Sequence, residues 1–349
     1  MLKRLLRDLR WGVLPVPGRV MALVFVAFIF IFPLIVDSPY NLLVFILVNI
    51  FVIFAVSWDV LSGYTGQTNF GHALTFGVGA YGAALLNRDL GWPPAATIPV
   101  ASLAAALIGV GTCLPALRLR GPYLALYTLS LPLMLLGIVR TFREITGGDY
   151  GISGISRLAD TRIAQYYIVL IVMVVAVLIM WKLTDAGSKL VRTGLIFHAI
   201  REDEIAARAT GINTIRYKIL AFAIGSFFAG LSGALYVHIM RIVTPDVLAL
   251  TLSFQAIIWV IFGGAVSIYG AVVGVYTLYP LLHIVLRDLS HYRMLILAVL
   301  VIVVLLFMPE GVAVWVRSKI ERQCPRCKTT NAAHRRECRS CSAALRHVA

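Results

Sequence analysis

The chain has 349 residues, 60% of them hydrophobic and only 13% charged, with a mean hydropathy of +0.89. Its continuous apolar runs exclude a soluble domain, and they also exclude a transmembrane β-barrel, which would show short alternating segments. In a soluble protein the formal charge of +15 would point to nucleic acid; in a membrane chain it is what Lys and Arg gathered in inside loops produce.

A basic start (Lys3, Arg4, Arg7, Arg10) leads into the first apolar run, residues 20–36. A cleaved signal peptide is the competing reading. The run is long for such a segment, and Asp37-Ser38-Pro39 is a poor cleavage site, so it reads as a first membrane helix behind a basic cytoplasmic N-terminus, residues 1–19. Further runs follow at 41–58, 70–86, 94–117, 123–139, 165–183, 219–240, 254–286 and 294–309. A helix rises about 1.5 Å per residue against a hydrocarbon core of about 30 Å. The stretch 247–286, which holds no Asp, Glu, Lys or Arg, is therefore long enough to cross twice, with Gly263-Gly264 and Tyr269-Gly270 in its middle.

Charge selects between one crossing and two. With two there are ten passes, both termini lie inside, and 23 of the 31 Lys and Arg fall in inside segments. With one, the split is a near-even 16 to 15. The positive-inside rule selects the first. The expected fold is an all-α polytopic membrane protein of about ten passes, some broken or re-entrant, in the cell's inner (plasma) membrane with both termini cytoplasmic.

Along this frame, Gly63-Tyr64-Thr65-Gly66-Gln67-Thr68-Asn69-Phe70-Gly71-His72 is glycine-rich and polar at a membrane entry, with Gly77, Gly79 and Gly82 beyond it. Small residues let helices approach closely, and irregular backbone at membrane depth survives only where protein buries it or it lines a cavity. Tight packing is one reading; a translocation-path lining, with Gly63, Gly66, Gln67, Asn69, Phe70, Gly71 and His72 as candidates, is the other. Cys113, alone in an apolar run, reads as a small core residue. The outside loop 140–164 holds Thr146-Gly147-Gly148-Asp149-Tyr150-Gly151-Ile152-Ser153-Gly154, a turn-rich, mixed-charge segment that either receives an external partner or simply connects.

The loop 182–218 is the longest inside segment before the tail. Residues 199–211 within it read as one short helix: alanines and charges favour it, its three acids lie toward the positive end of the dipole, and Gly211 is placed to end it. A solvated loop helix accounts for the composition equally well.

These residues resemble a known family. Gly63 to Ala73 with Gly79-Ala80-Tyr81, Arg118-Leu119-Arg120-Gly121-Pro122-Tyr123-Leu124-Ala125-Leu126, Thr146-Gly147-Gly148, and Ala199-Ile200-Arg201-Glu202-Asp203-Glu204-Ile205-Ala206-Ala207-Arg208-Ala209-Thr210-Gly211-Ile212-Asn213 occur in the order seen there. Tyr217-Lys218, Ala229-Gly230-Leu231-Ser232-Gly233-Ala234-Leu235-Tyr236, Gly263-Gly264 and Pro309-Glu310-Gly311 complete the set. The chain is similar to the permease subunit of branched-chain amino acid ABC transporters, of the LivM type. The resemblance implies that the loop about 184–218 carries the coupling helix that docks on an ATPase subunit, with Arg201, Glu202, Asp203, Glu204, Ala207 and Gly211 at or near the contact. Thr210 stands where the family usually has leucine. It also implies two ATP-binding subunits, a second permease to make a heterodimer, an extracytoplasmic solute-binding protein, and alternating access along a path between the permeases. Gly-Lys occurs nowhere in the chain, so there is no P-loop and the motor must be borrowed.

The tail is not part of that pattern. Cys324-Pro325-Arg326-Cys327, ten residues, then Cys338-Arg339-Ser340-Cys341 make two C-x-x-C knuckles, the donor set of a four-cysteine zinc ribbon over 324–341. His334 is an alternative ligand; rubredoxin-like iron and a pair of disulfides are alternative chemistries, and an inside location argues against the disulfides. Residues 312–322 are expected to link the ribbon as an amphipathic interfacial helix, so the domains read as 1–19, 20–311 and 312–349. Arg326, Lys328, Arg335, Arg336, Arg339 and Arg346 make the tail basic, suited to anionic lipid or a partner subunit more than to nucleic acid.

The expected function is the permease of an ATP-driven importer for branched-chain or related amino acids. Urea, short amides or another small solute are alternatives within the class; a membrane-bound metal- or redox-responsive regulator is the alternative outside it. An ion-coupled transporter is disfavoured, because Asp37 and Asp59 are the only acids near a span and both lie at predicted ends. No facing acid, base and nucleophile suggest an enzyme: His72, His238 and His283 are scattered.

Overall fold

The computed structural model describes residues 17–36, 38–119, 121–185, 192–287, 292–327, 330–333, 335, 337–338 and 341–344. Lys3, Arg4, Arg7, Arg10, Asp37, Arg120, Lys328, His334, Arg336, Arg339, Ser340 and Arg346, and loop residues 186–191, lie outside the described residues.

In a bilayer every backbone N–H and C=O must find its partner within its own segment, so the apolar runs fold as helices. In chain order they are α1 (Pro17–Ile35), α2 (Pro39–Trp58, continued by a π turn Asp59–Gly63), α3 (Ala73–Leu90), α4 (Pro94–Ala116), α5 (Pro122–Thr141), α6 (Arg162–Thr184), α7 (Thr193–Glu202), α8 (Glu204–Ala209), α9 (Thr214–Met240), α10 (Leu250–Gly263), α11 (Ile268–Pro280, with a π turn Leu281–Val285), α12 (Arg293–Phe307) and α13 (Val312–Ile320). Among the described residues seven helical stretches are long and apolar enough to cross a membrane: Pro39–Gly63, Pro94–Ala116, Pro122–Thr141, Arg162–Thr184, Thr214–Met240, Ile268–Val285 and Leu295–Ile320. Leu23–Ile35 and Leu250–Gly263 are shorter apolar helices. The double-length run at 254–286 does break, at Gly264, into α10 and α11 packed on each other.

α2 is apolar all round, which suits an interior helix; its residues from Ile46 through Leu61 are buried without a break. α9 packs on α4, α3 and α2. Its Gly230 and Gly233 lie against the backbone of α3, so closely that a Cβ on Gly79 would run into the Gly230 carbonyl and one on Gly233 into the Phe76 carbonyl. The small-residue motifs are helix-packing surfaces here. α5 is the opposite case: it buries only Leu124, Thr128, Pro132 and Val139, spaced along one stripe, and exposes Leu126, Leu133 and Met134.

α9 starts at Thr214, five residues before the expected run, because Asn213 caps it by accepting the Arg216 N–H at 3.2 Å. At its far end, β1 (Ile152–Ser153) pairs antiparallel with β2 (Ile242–Val243), tying the turn-rich loop 140–164 to the exit of α9. The tail helix α13 ends at Ile320, short of the expected residue 322, since β3 (Glu321–Gln323) there pairs with β4 (Thr330–Ala332).

Candidate functional site

Between α6 and α9 the chain makes α7 and α8. α7 buries Phe197 and Ile200, and Thr193 donates to the Leu183 carbonyl at 2.6 Å, fixing its start against α6. His198 meets Tyr64 edge-on at 5.3 Å between ring centres. Burial, together with the Arg201 guanidinium, holds the His198 imidazole below its usual range. Arg201 lies over Gly66, so this helix rests on the Gly63–His72 segment.

The single helix expected over 199–211 is two. Asp203 adopts an extended backbone (φ −154°, ψ 107°) and its carboxylate accepts the Ile205 and Ala206 N–H groups at 2.8 and 3.0 Å. A short acidic side chain that caps a new helix competes with continuing the old one, and here the cap prevails. α8 then closes at Gly211 (φ +86°): the Gly211 N–H reaches the Arg208 carbonyl at 2.9 Å and the Ile212 N–H the Ala207 carbonyl at 3.2 Å, a Schellman stop.

Of the six residues assigned to this contact, Arg201, Glu202, Asp203 and Gly211 are exposed, Ala207 is buried and Glu204 turns inward. Glu204 binds the Lys218 ammonium at 2.6 Å, pairs with Arg208, and accepts the Thr214 hydroxyl at 3.3 Å. Lys218 is only 7% exposed. The exposed edge is completed by Ile205, Ala206, Ala209 and Thr210, with Ile205 69% exposed. Ile205 and Lys218 stand in the matched motifs but were not assigned to the contact; an isoleucine amid charges, and a lysine at the start of an apolar helix, were the available signals.

The Gly63–His72 candidates fall into two groups. Asn69, Gly71 and His72 are buried. The His72 Nε2 lies 2.8 Å from the Ser57 hydroxyl, and its ring stacks on Phe54 at 4.8 Å. Asn69 accepts the Gly71 N–H on its side chain at 2.9 Å and the Trp58 indole N–H on its carbonyl at 2.7 Å. Gly66 is exposed, while Gly63, Gln67 and Phe70 are half-buried, Phe70 facing Phe254 at 6.0 Å. Asp59, expected at a helix end, is fully buried there, and its Oδ1 accepts the Val266 N–H at 2.8 Å across to the α10–α11 turn.

The four tail cysteines come together. Their sulfurs all lie within 4.8 Å of one another, with Cys324–Cys341 at 3.6 Å and Cys327–Cys338 and Cys327–Cys341 at 3.4 Å. A tetrahedral four-thiolate site with metal–sulfur bonds of about 2.3 Å has edges of about 3.8 Å, whereas a disulfide needs about 2.05 Å. No disulfide joins the four cysteines, and their spacing could hold a metal ion. Asn331, buried in β4, donates to the Cys338 sulfur at 3.6 Å.

Helices long and apolar enough to cross a membrane, with a capped two-helix loop between α6 and α9, make this a polytopic membrane protein. Residues 40–307 match the family described as branched-chain amino acid transport system / permease component, and the chain belongs to that family. It is 29% identical over 304 residues to the high-affinity branched-chain amino acid transport system permease protein LivM of Escherichia coli (strain K12), covering 79% of this chain and 70% of that one. The Salmonella typhimurium protein of the same name is 27% identical over 312 residues, covering 81% and 72%. A probable branched-chain amino acid transport permease protein LivM of Methanocaldococcus jannaschii is 25% identical over 267 residues, covering 65% and 76%. No solved structure matches.

Proposed function

We propose that the chain is one of two permeases in an ATP-driven importer of branched-chain or related amino acids. It forms part of the path and borrows hydrolysis from two ATP-binding subunits, and an extracytoplasmic binding protein delivers the solute. What carries this reading is the family match over 40–307 together with the α7–α8 loop, a rigid projection whose outer edge is exposed and whose inner residues are fastened to α6 and α9. A short helix held this firmly can convert closure of the ATPases into movement of α9. In this reading Arg201, Glu202, Asp203 and Ile205 meet the ATPase, while Glu204, Ala207 and Gly211 shape the loop that presents them. Gly66, Gln67 and Phe70 border the path, and Gly63, Asn69, Gly71 and His72 hold that segment in place. The α7–α8 end and both termini face the cytoplasm of an inner-membrane protein, as the charge bias supports. The tail site takes zinc, which suits four thiolates in tetrahedral array.

The test is uptake of labelled leucine into vesicles holding the four kinds of subunit. ATP-dependent, binding-protein-dependent uptake is expected. ATPase stimulation without leucine uptake would move the solute to urea, short amides or another small molecule, and an absence of coupling to any ATPase would overturn the importer reading.

A further inference from the structure

The tail lies beyond the family match, which ends at residue 307, and transport does not explain its geometry. It leaves the bundle at Gly311 (φ +88°), where a Cβ would run into the Gly264 backbone, while one on Gly264 would meet Val314 and the Glu310 carbonyl. Near the end of α13, the Arg317 guanidinium sits 5.0 Å over the Tyr269 ring of α11 and pairs with Glu321 at 2.8 Å. The Glu321 side chain is only 5% exposed, and its other oxygen accepts the Gly18 N–H at the start of α1, at 2.8 Å. One carboxylate thus joins the tail, the first helix and, through Arg317, the start of α11.

The hairpin that opens at Glu321 sets the position of this carboxylate. Glu321 is paired with Ala332, and the Ala333 N–H reaches the Ile320 carbonyl at 2.8 Å. Two strands of three residues cannot offset the entropy of ordering themselves. Their apolar cluster among the described residues is Cys324 and Cys338, with Cys341 and Ala343 packed on them.

We propose that a thiophilic divalent cation at Cys324, Cys327, Cys338 and Cys341 closes a latch in which Glu321 fastens the tail and the start of α1 to the helix bundle. This rests on the metal-site reading. Without metal β3 loses its partner strand, Glu321 loses its register, and the Gly18 N–H loses its acceptor. The latch stands on the end of the bundle that carries α7 and α8. Gly311 abuts Gly264, Val266 two residues on is bonded to Asp59, and the segment that follows Asp59 supports Arg201 through Gly66.

The test is amide hydrogen exchange on the full chain in lipid nanodiscs, zinc-loaded and after chelation, beside a metal assay. The zinc-loaded parent is expected to carry one equivalent of zinc. Chelation, or Cys324→Ser with Cys327→Ser, is expected to speed exchange at residues 18–22 and 312–323 at least tenfold while α4 and α9 stay protected. Glu321→Gln is expected to keep the zinc and lose protection at 18–22 alone. No bound zinc in the parent would remove the metal site itself. Bound zinc with unchanged exchange at 18–22 and 312–323 after its removal would overturn the latch and leave the metal site standing.

Discussion

Glu204 and Ile205 are neighbours with opposite roles. Burial pushes the Glu204 carboxyl up, but the Lys218 ammonium and the Arg208 guanidinium outweigh it and hold the group below its usual range. Glu204→Gln would leave the Lys218 ammonium, 7% exposed, without its counter-charge, at a cost of about 3 kcal/mol. A lower melting temperature of the purified permease is the expected readout. The same pair makes the loop acid-sensitive. A carboxyl whose folded pKa is depressed contributes stability that is complete above its unfolded value of 4.5 and is lost as pH falls through the folded value. Amide protection factors across residues 204–213 should therefore fall on acidification below 4.5 in the parent and show no such step in Glu204→Gln. Ile205, 69% exposed, has nothing of this kind to lose. Ile205→Asp should leave melting within about 0.5 kcal/mol of the parent, yet cut retention of the ATPase subunits at least tenfold in pull-down. Full retention would move the contact off α8.

Among the elements, the crossing of α3 and α9 leaves no room for a side chain at Gly79. Gly79→Ala would drive a methyl into the Gly230 carbonyl and, with backbone on both sides, cost about 1–3 kcal/mol as the helices part. Gly137→Ala in α5 meets nothing within 4 Å and should stabilise by about 0.5–1 kcal/mol through helix propensity alone. Melting of the two variants in detergent separates packing from propensity; equal effects would mean the helices are not in contact at Gly79. The same contrast explains what the sequence could disclose. The α10–α11 break was legible because Gly263-Gly264 interrupts an apolar run locally, and the cysteine tetrad was legible because each knuckle is a local motif. The α7–α8 break was not: Asp203 sits among good helix formers, and the Glu204 beside it is tied to Lys218, fourteen residues on. The bonds of the Gly63–Ala73 stretch were hidden for the same reason, since the partners of Phe70 and Ala73 are Thr128 and Ser253 on other helices.

The whole molecule divides at the turn after α12. The family match and the helix packing that buries α2, α3 and α9 lie before residue 308, while α13 and the cysteine hairpin sit on the rim, against α1 and the start of α11. In the proposed reading the path and the ATPase contact use none of the tail's side chains, so a chain ending at Gly311 should still insert, assemble and transport. Ending there keeps the close backbone packing of Gly311 on Gly264, which supports the α10–α11 turn and, through Val266, Asp59. Labelled-leucine uptake by an importer built with this 1–311 chain should stay within about threefold of the parent while its metal content falls to zero, a change of well under 1.4 kcal/mol in the transport barrier. If the complex assembles normally and uptake collapses, the tail belongs to the transport machinery, and the hairpin's grip on α1 would have to be counted among the movements that open the path.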